Sequence, residues 1–272
     1  NLFTKHINQP IASATLSTAQ SNGWIWDIAL PTRRGTGYVF SSKYQSDESA
    51  TDTLKSYIAK STSEQQAEQL NYRVLKFSPG YRQKFWIKNC VAVGMSAGFV
   101  EPLEASALAM VELSISMLSE QLPQNRTHMS QLANRFNDRF STRWQRVVEF
   151  LKLHYVLSER DDTPYWQNIR DLTTAPERLQ NLLKLWQFQP PSRFDFIENE
   201  EVFSSSSYQY VLYGMGFNTQ TPQAHNAFTS ARAGDYFYQQ NREKIAQYLK
   251  GLPSNRALLN DLLSNNRQPH ND

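Results

Sequence analysis

Up to about residue 100 the apolar positions come in short alternating runs; beyond it they recur every three to four residues. Residues 11–18 alternate apolar and small polar side chains. Residues 23–30, Gly-Trp-Ile-Trp-Asp-Ile-Ala-Leu, carry the bulky residues that suit a pleated surface. Gly35 and Gly37 mark a turn, and 38–44 is a further strand, so the pattern predicts an antiparallel meander. Residues 47–58 open on acidic residues and continue with good helix formers, which predicts a helix. Residues 61–70 read as a Gln/Glu-rich surface segment, and 72–77, 82–86 and 90–93 as short strands.

After Pro102 the period changes to that of helices. Residues 103–122 predict one, and 126–158 another that can be interrupted. On the second, Phe136, Phe140, Trp144, Val147, Val148, Leu151 and Tyr155 lie on or near one stripe. Thr163 and Pro164 supply a cap and a first-turn proline. Further helices are predicted over 177–187, 226–252 and 256–264. No internal repeat occurs. The fold class is α+β, with a β-rich part over 1–100 and a helical module over 101–272.

Composition narrows the function classes. Of 272 residues 40% are hydrophobic and 12% aromatic, enough for a packed core. The formal net charge is +3 and the basic residues are dispersed, so no nucleic-acid track is expected. A single cysteine, Cys90, excludes a disulfide scaffold and a paired-thiolate zinc site. It suits a cytoplasmic enzyme and reads as a small buried hydrophobe. No apolar run approaches the roughly 18 residues of a membrane span. The five histidines lack metal-ligand spacing, so no metal is expected, and His154 reads as a structural residue within a helix. Asp161 and Asp162 precede Thr163-Pro164, which favours helix capping over an acid pair. The chain opens on Asn1 without a signal peptide and is expected to be part of a longer protein.

The richest local pattern spans residues 90–108. A short apolar strand runs into small residues, with Gly94, Met95, Ser96, Ala97 and Gly98 in sequence; Pro102 then opens a helix carrying Glu104 in its first turn. Small residues let a flat cofactor approach the backbone. Free amides and the dipole at a helix start favour an anion. The same pattern also makes an ordinary strand-to-helix connection, with Glu104 a plain first-turn acid.

Several stretches resemble flavin-dependent tryptophan halogenases. Residues 98–104, Gly-Phe-Val-Glu-Pro-Leu-Glu, are similar to the family's Gly-Phe-x-Glu-Pro-Leu-Glu-Ser-Thr stretch. Residues 24–29 resemble its Trp-x-Trp-x-Ile-Pro motif, with Ala29 in place of proline. Residues 84–90 resemble Lys-Phe-Trp-x-x-Asn-Cys, 160–166 resemble Arg-Asp-Asp-Ser-Pro-Phe-Trp, and 214–216 fall at a late Gly-x-Gly. The matches keep the family's order over most of the chain.

The resemblance implies the second half of a flavin monooxygenase-like enzyme: part of a module similar to p-hydroxybenzoate hydroxylase, then a helical substrate module. Such enzymes use reduced FAD from a separate flavin reductase, oxygen, and chloride or bromide to form hypohalous acid, which acts with a lysine. By the match, Glu104 is the catalytic acid; Gly94, Met95, Ser96, Ala97, Gly98 and Leu108 lie by the flavin; Ser106 and Ala107 lie by the halide. Ala105-Ser106-Ala107 departs from the usual Ser-Thr-Gly, which alters the halide pocket. No lysine here matches the catalytic one, and the dinucleotide fingerprint is missing; residues 34–37 read as a hairpin instead. The isolated chain is therefore expected to be inactive. The family's Phe-Trp clamp becomes Phe203-Ser204, so the expected substrate is an indole-type aromatic, not necessarily free tryptophan. Phe194, Phe196, Tyr208 and Tyr210 are ring-stacking candidates that packing would also explain. A homodimer is compatible with the sequence. A monooxygenase that hydroxylates without halide, or a non-catalytic helical module, remains the alternative.

Overall fold

The strand signals of the first forty residues fold into an antiparallel meander. In a computed structural model that describes residues 11–196, 202–220 and 227–265, β1 (Leu16–Gln20), β2 (Gly23–Ala29) and β3 (Arg34–Phe40) pair in that order. Then come α1 (Asp47–Ala59), α2 (Glu64–Glu68), β4 (Gly80–Tyr81), β5 (Trp86–Ile87), β6 (Cys90–Val91) and β7 (Gly98–Phe99). The remaining helices are α3 (Ala107–Gln121), α4 (Met129–Val156), α5 (Pro164–Ile169), α6 (Glu177–Trp186), α7 (Ser205–Gly214), α8 (Ala227–Gly251) and α9 (Asn255–Asn265). The content is α+β. The chain divides into two compact units, residues 1–73 with 221–272, and residues 74–220.

In the first unit, Gly35 and Gly37 lie inside β3 rather than in the turn predicted for them. The reversal comes earlier, between Ala29 and Arg34, which are paired. The reason is Trp26. It sits opposite Gly37, and a Cβ there would fall 2.3 Å from the indole ring. Trp24 and Ile25 are buried. Asp27, also buried, accepts two hydrogen bonds from Arg34 and one of 3.1 Å from the Tyr57 hydroxyl on α1. Ser46 caps α1 by accepting from the Ser49 amide. β1 starts only at Leu16, and residues 72–77 form no ladder.

The second unit is organised on α4, 28 residues and about 42 Å long. Its apolar stripe buries Phe136, Phe140, Trp144, Val147, Phe150, Leu151 and Leu153, each large side chain contributing roughly 1.5–3 kcal/mol. Asn137 fastens the β5–β6 hairpin to it. The Asn137 Oδ1 accepts from the Phe85 and Trp86 amides at 2.7 and 2.8 Å, and its Nδ2 donates to the Trp86 carbonyl at 2.9 Å. Cys90, on the far strand of that hairpin, is exposed rather than buried, because it pairs with exposed Ile87 while its neighbour Val91 pairs with buried Trp86. Thr163 caps α5 as predicted, whereas Asp162 forms a bidentate pair with Arg160. The Arg160 guanidinium lies 5.1 Å over the Trp166 ring. The pair holds the Asp162 carboxyl below its usual range, through the hydrogen bond from Arg160. α7 had no clear signal in the sequence: three serines open it, and weak amphipathic spacing follows.

Candidate active site

The segment from β6 to α3 is more constrained than a simple strand-to-helix passage. Gly94 adopts φ +63°, in the left-handed region that glycine tolerates. Gly98 pairs with Tyr81 across the β4–β7 ladder. A Cβ on Gly98 would meet the Tyr81 Cβ at 2.6 Å and the Trp144 ring at 2.9 Å. Trp144 stacks on Tyr81 with ring centroids 5.7 Å apart. The absence of a side chain at Gly98 thus serves packing on α4. Gly98→Ala is expected to cost about 1–3 kcal/mol of stability, as overpacking does; a urea titration showing no loss would disprove that origin.

The helix does not begin at Pro102. The Ala105 amide donates to the Pro102 carbonyl at 3.2 Å, Ala105 itself has φ +49°, and α3 starts only at Ala107. Glu104 therefore sits in a turn ahead of the helix rather than in its first turn. A non-glycine residue in the left-handed region costs roughly 1–2 kcal/mol, so neighbouring contacts must hold it. Two adjacent residues of α4 do so. The Tyr155 hydroxyl donates to Glu101 Oε2 at 2.6 Å, and His154 Nε2 lies 2.7 Å from Glu104 Oε1. The other face of the His154 ring system is also fixed: Nδ1 lies 2.9 Å from the Phe150 carbonyl. Glu104 Oε2 has no hydrogen-bond partner among the described residues, and the Glu104 side chain is 31% exposed.

Aromatic residues back this pair. Phe150 meets the His154 ring edge-on at 5.1 Å, Phe203 stacks on Phe150 at 4.0 Å, and Tyr208 packs against it at 4.8 Å. Phe203 and Tyr208 are thus linked to Glu104 only through Phe150 and His154 and are buried in the core, whereas Phe194 is exposed beneath Arg193. Tyr208 is fully buried. Its ring is also flanked by Trp186 and Phe196, and its hydroxyl donates to Glu149 Oε1 at 3.2 Å.

The residues expected beside flavin and halide divide by exposure. Met95 and Leu108 are 80% and 81% exposed, and Ala105 and Ala107 are exposed as well. Ser96 spends its hydroxyl on the Val93 amide and carbonyl, and Ala97 is buried. Ser106 is buried and gives no side-chain cap to α3, so the first amides of that helix lack an acceptor from this serine. An exposed face of small and apolar residues beside uncapped amides fits a flat ring and an anion. Among the described residues no group of three His, Cys, Asp or Glu could hold a metal ion, and no helix is long and apolar enough to cross a membrane. His154, Tyr155 and Glu101 were the partners that sequence reasoning missed. The available signal was a polar pair closing an apolar stripe, with His154 one turn beyond Phe150.

The sequence profile of tryptophan halogenases matches residues 2–252. This chain belongs to the tryptophan halogenase family. A tryptophan halogenase structure from Shewanella frigidimarina superposes on this family member with a TM-score of 0.89 at 46% identity, covering 94% of this chain and 48% of that one. A flavin-dependent halogenase from Brevundimonas sp. BAL3 superposes with a TM-score of 0.78 at 32% identity, covering 94% and 50%. A tryptophan 6-halogenase of Streptomyces toxytricini is 31% identical over 240 residues, 88% of this halogenase-family chain and 45% of the relative. The chain thus spans about half the length of the relatives it matches.

Proposed function

We propose that this chain supplies the catalytic carboxylate, the halide-side turn and part of the aromatic substrate wall of a flavin-dependent halogenase acting on an indole-type ring such as tryptophan. The observation that carries the reading is Glu104: held in a strained turn, one oxygen tied to His154 and the other open, with Phe150 and Phe203 behind it. A carboxylate so placed accepts the proton that a ring loses on halogenation, or holds the halogenating species by hydrogen bond. Ser106 and Ala107 would face the halide through their amides, and Gly94, Met95 and Leu108 would border the flavin. FAD, when bound, supplies the oxidation of halide by oxygen. Residues 1–100 contribute to a flavin monooxygenase-like module in this reading. The lysine and dinucleotide fingerprint would come from sequence outside this chain, and reduced FAD from a separate reductase. Tryptophan halogenation is named for relatives at 31% identity and structures at 46%, which supports an aromatic amino acid or substituted indole here.

The test uses the full-length enzyme with a flavin reductase, bromide and a panel of tryptophan and substituted indoles. A product with the bromine isotope doublet, absent when bromide is withheld, is expected. Hydroxylated product without halogen would overturn the halogenase reading in favour of a monooxygenase. The 272-residue chain alone is expected to give no halogenated product under the same conditions, and measurable turnover would refute the division of labour.

A further inference from the structure

We propose that His154 is the positioning residue of the Glu104 carboxylate: it holds Oε1 so that Oε2 is the oxygen offered to the reaction. The inference rests on the reading of Glu104 as the catalytic carboxylate and goes beyond it.

The ring contacts carry the proposal. A backbone carbonyl only accepts, so the 2.9 Å contact with the Phe150 carbonyl is donated by Nδ1. The opposite nitrogen, Nε2, faces Glu104 Oε1 at 2.7 Å. Oε1 is thus held against a ring whose own orientation is set on its far side. The ring is itself fixed at two further points, by the Phe150 carbonyl and by the edge-on Phe150 side chain at 5.1 Å.

Three facts make this a positioning device rather than a chance surface pair. His154 and Tyr155 are consecutive, and they grip Glu104 and Glu101, which flank the turn at Pro102. The turn they grip contains Ala105 in the left-handed region, an arrangement that needs external restraint. Oε2, in contrast, has no partner among the described residues. The Phe203–Phe150–His154 contacts also seat the imidazole against the hydrophobic core of the unit.

The experiment compares His154→Phe, His154→Gln and Glu104→Gln in the full-length halogenase. Phenylalanine keeps the ring on Phe150 and removes the Nε2 contact. Glutamine keeps a donor near the Nε2 position and removes the ring. Expected are a fall in kcat of about 10- to 100-fold for His154→Phe, with KM within about twofold, and recovery to within about threefold of wild type for His154→Gln. The double variant Glu104→Gln/His154→Phe should be no slower than Glu104→Gln alone. A wild-type kcat for His154→Phe, or a Gln variant as impaired as the Phe variant, overturns the proposal. If Glu104→Gln itself retains full activity, the functional reading of Glu104 fails instead. Should His154→Phe not fold, the 15N spectrum of the wild-type imidazole decides: an unprotonated Nδ1, or an Nε2 resonance unmoved by Glu104→Gln, also overturns it.

Discussion

Glu104→Gln in the full-length enzyme is expected to lower kcat for halogenation by about 10²- to 10⁴-fold, the range in which positioned acid–base groups contribute. Glutamine preserves shape and can still meet His154 Nε2, so the turn should remain folded. What disappears is the negative charge and the proton-accepting oxygen at Oε2. Because the side chain is partly exposed and its replacement is isosteric, stability should change by no more than about 0.5–1 kcal/mol. Substrate affinity by calorimetry should change little, so the loss falls on kcat. Steady-state rates within threefold of wild type would remove Glu104 from the chemistry.

Glu149→Ala is expected to destabilise the second unit substantially. The Glu149 side chain is 2% exposed and ties three helices together. Its Oε1 takes a hydrogen bond from Arg178 on α6 and one of 3.2 Å from Tyr208 on α7, while Arg146 on α4 approaches Oε2 at 3.4 Å. Arg178 extends the tie by donating to the Asp195 carbonyl at 2.5 Å. Removing the carboxylate takes a shared partner from Arg178, Tyr208 and Arg146 at once, a change that costs about 3–5 kcal/mol in a buried ion pair. Arg178 is 26% exposed and Arg146 21%, so partial hydration places the loss toward the lower end. Denaturant unfolding measures it; a loss below about 1 kcal/mol would mean that apolar packing alone joins α6 and α7 to α4. Since Phe150 follows Glu149 directly, the same variant should also disturb the support of His154.

The sequence made the long elements legible because their periodicity is strong. The meander, α1, α4 and α6 follow from apolar spacing and caps such as Ser46 and Thr163. What escaped depends on partners distant in sequence. Gly37 reads as a turn residue unless one knows that the Trp26 indole crosses it. The start of α3 shifts to Ala107 because Ala105 takes a conformation for which alanine gives no local signal. The motifs carrying the family resemblance also separate once seen in place. Trp24, Trp86 and Trp166 are buried packing elements, and the stretch ending at Glu104 is the one that reaches an open carboxylate oxygen. Its partner His154 lies 50 residues away on another element, and no spacing rule connects the two.

The loading of α4 also bears on which length changes the chain can absorb. Asn137, Trp144, Glu149, His154 and Tyr155 each contact a different part of the second unit from this one helix. Inserting or deleting one residue between Asn137 and His154 would rotate everything beyond it by about 100° and shift it by about 1.5 Å, releasing several grips at once. An insertion beyond Tyr155 would leave these five contacts in place.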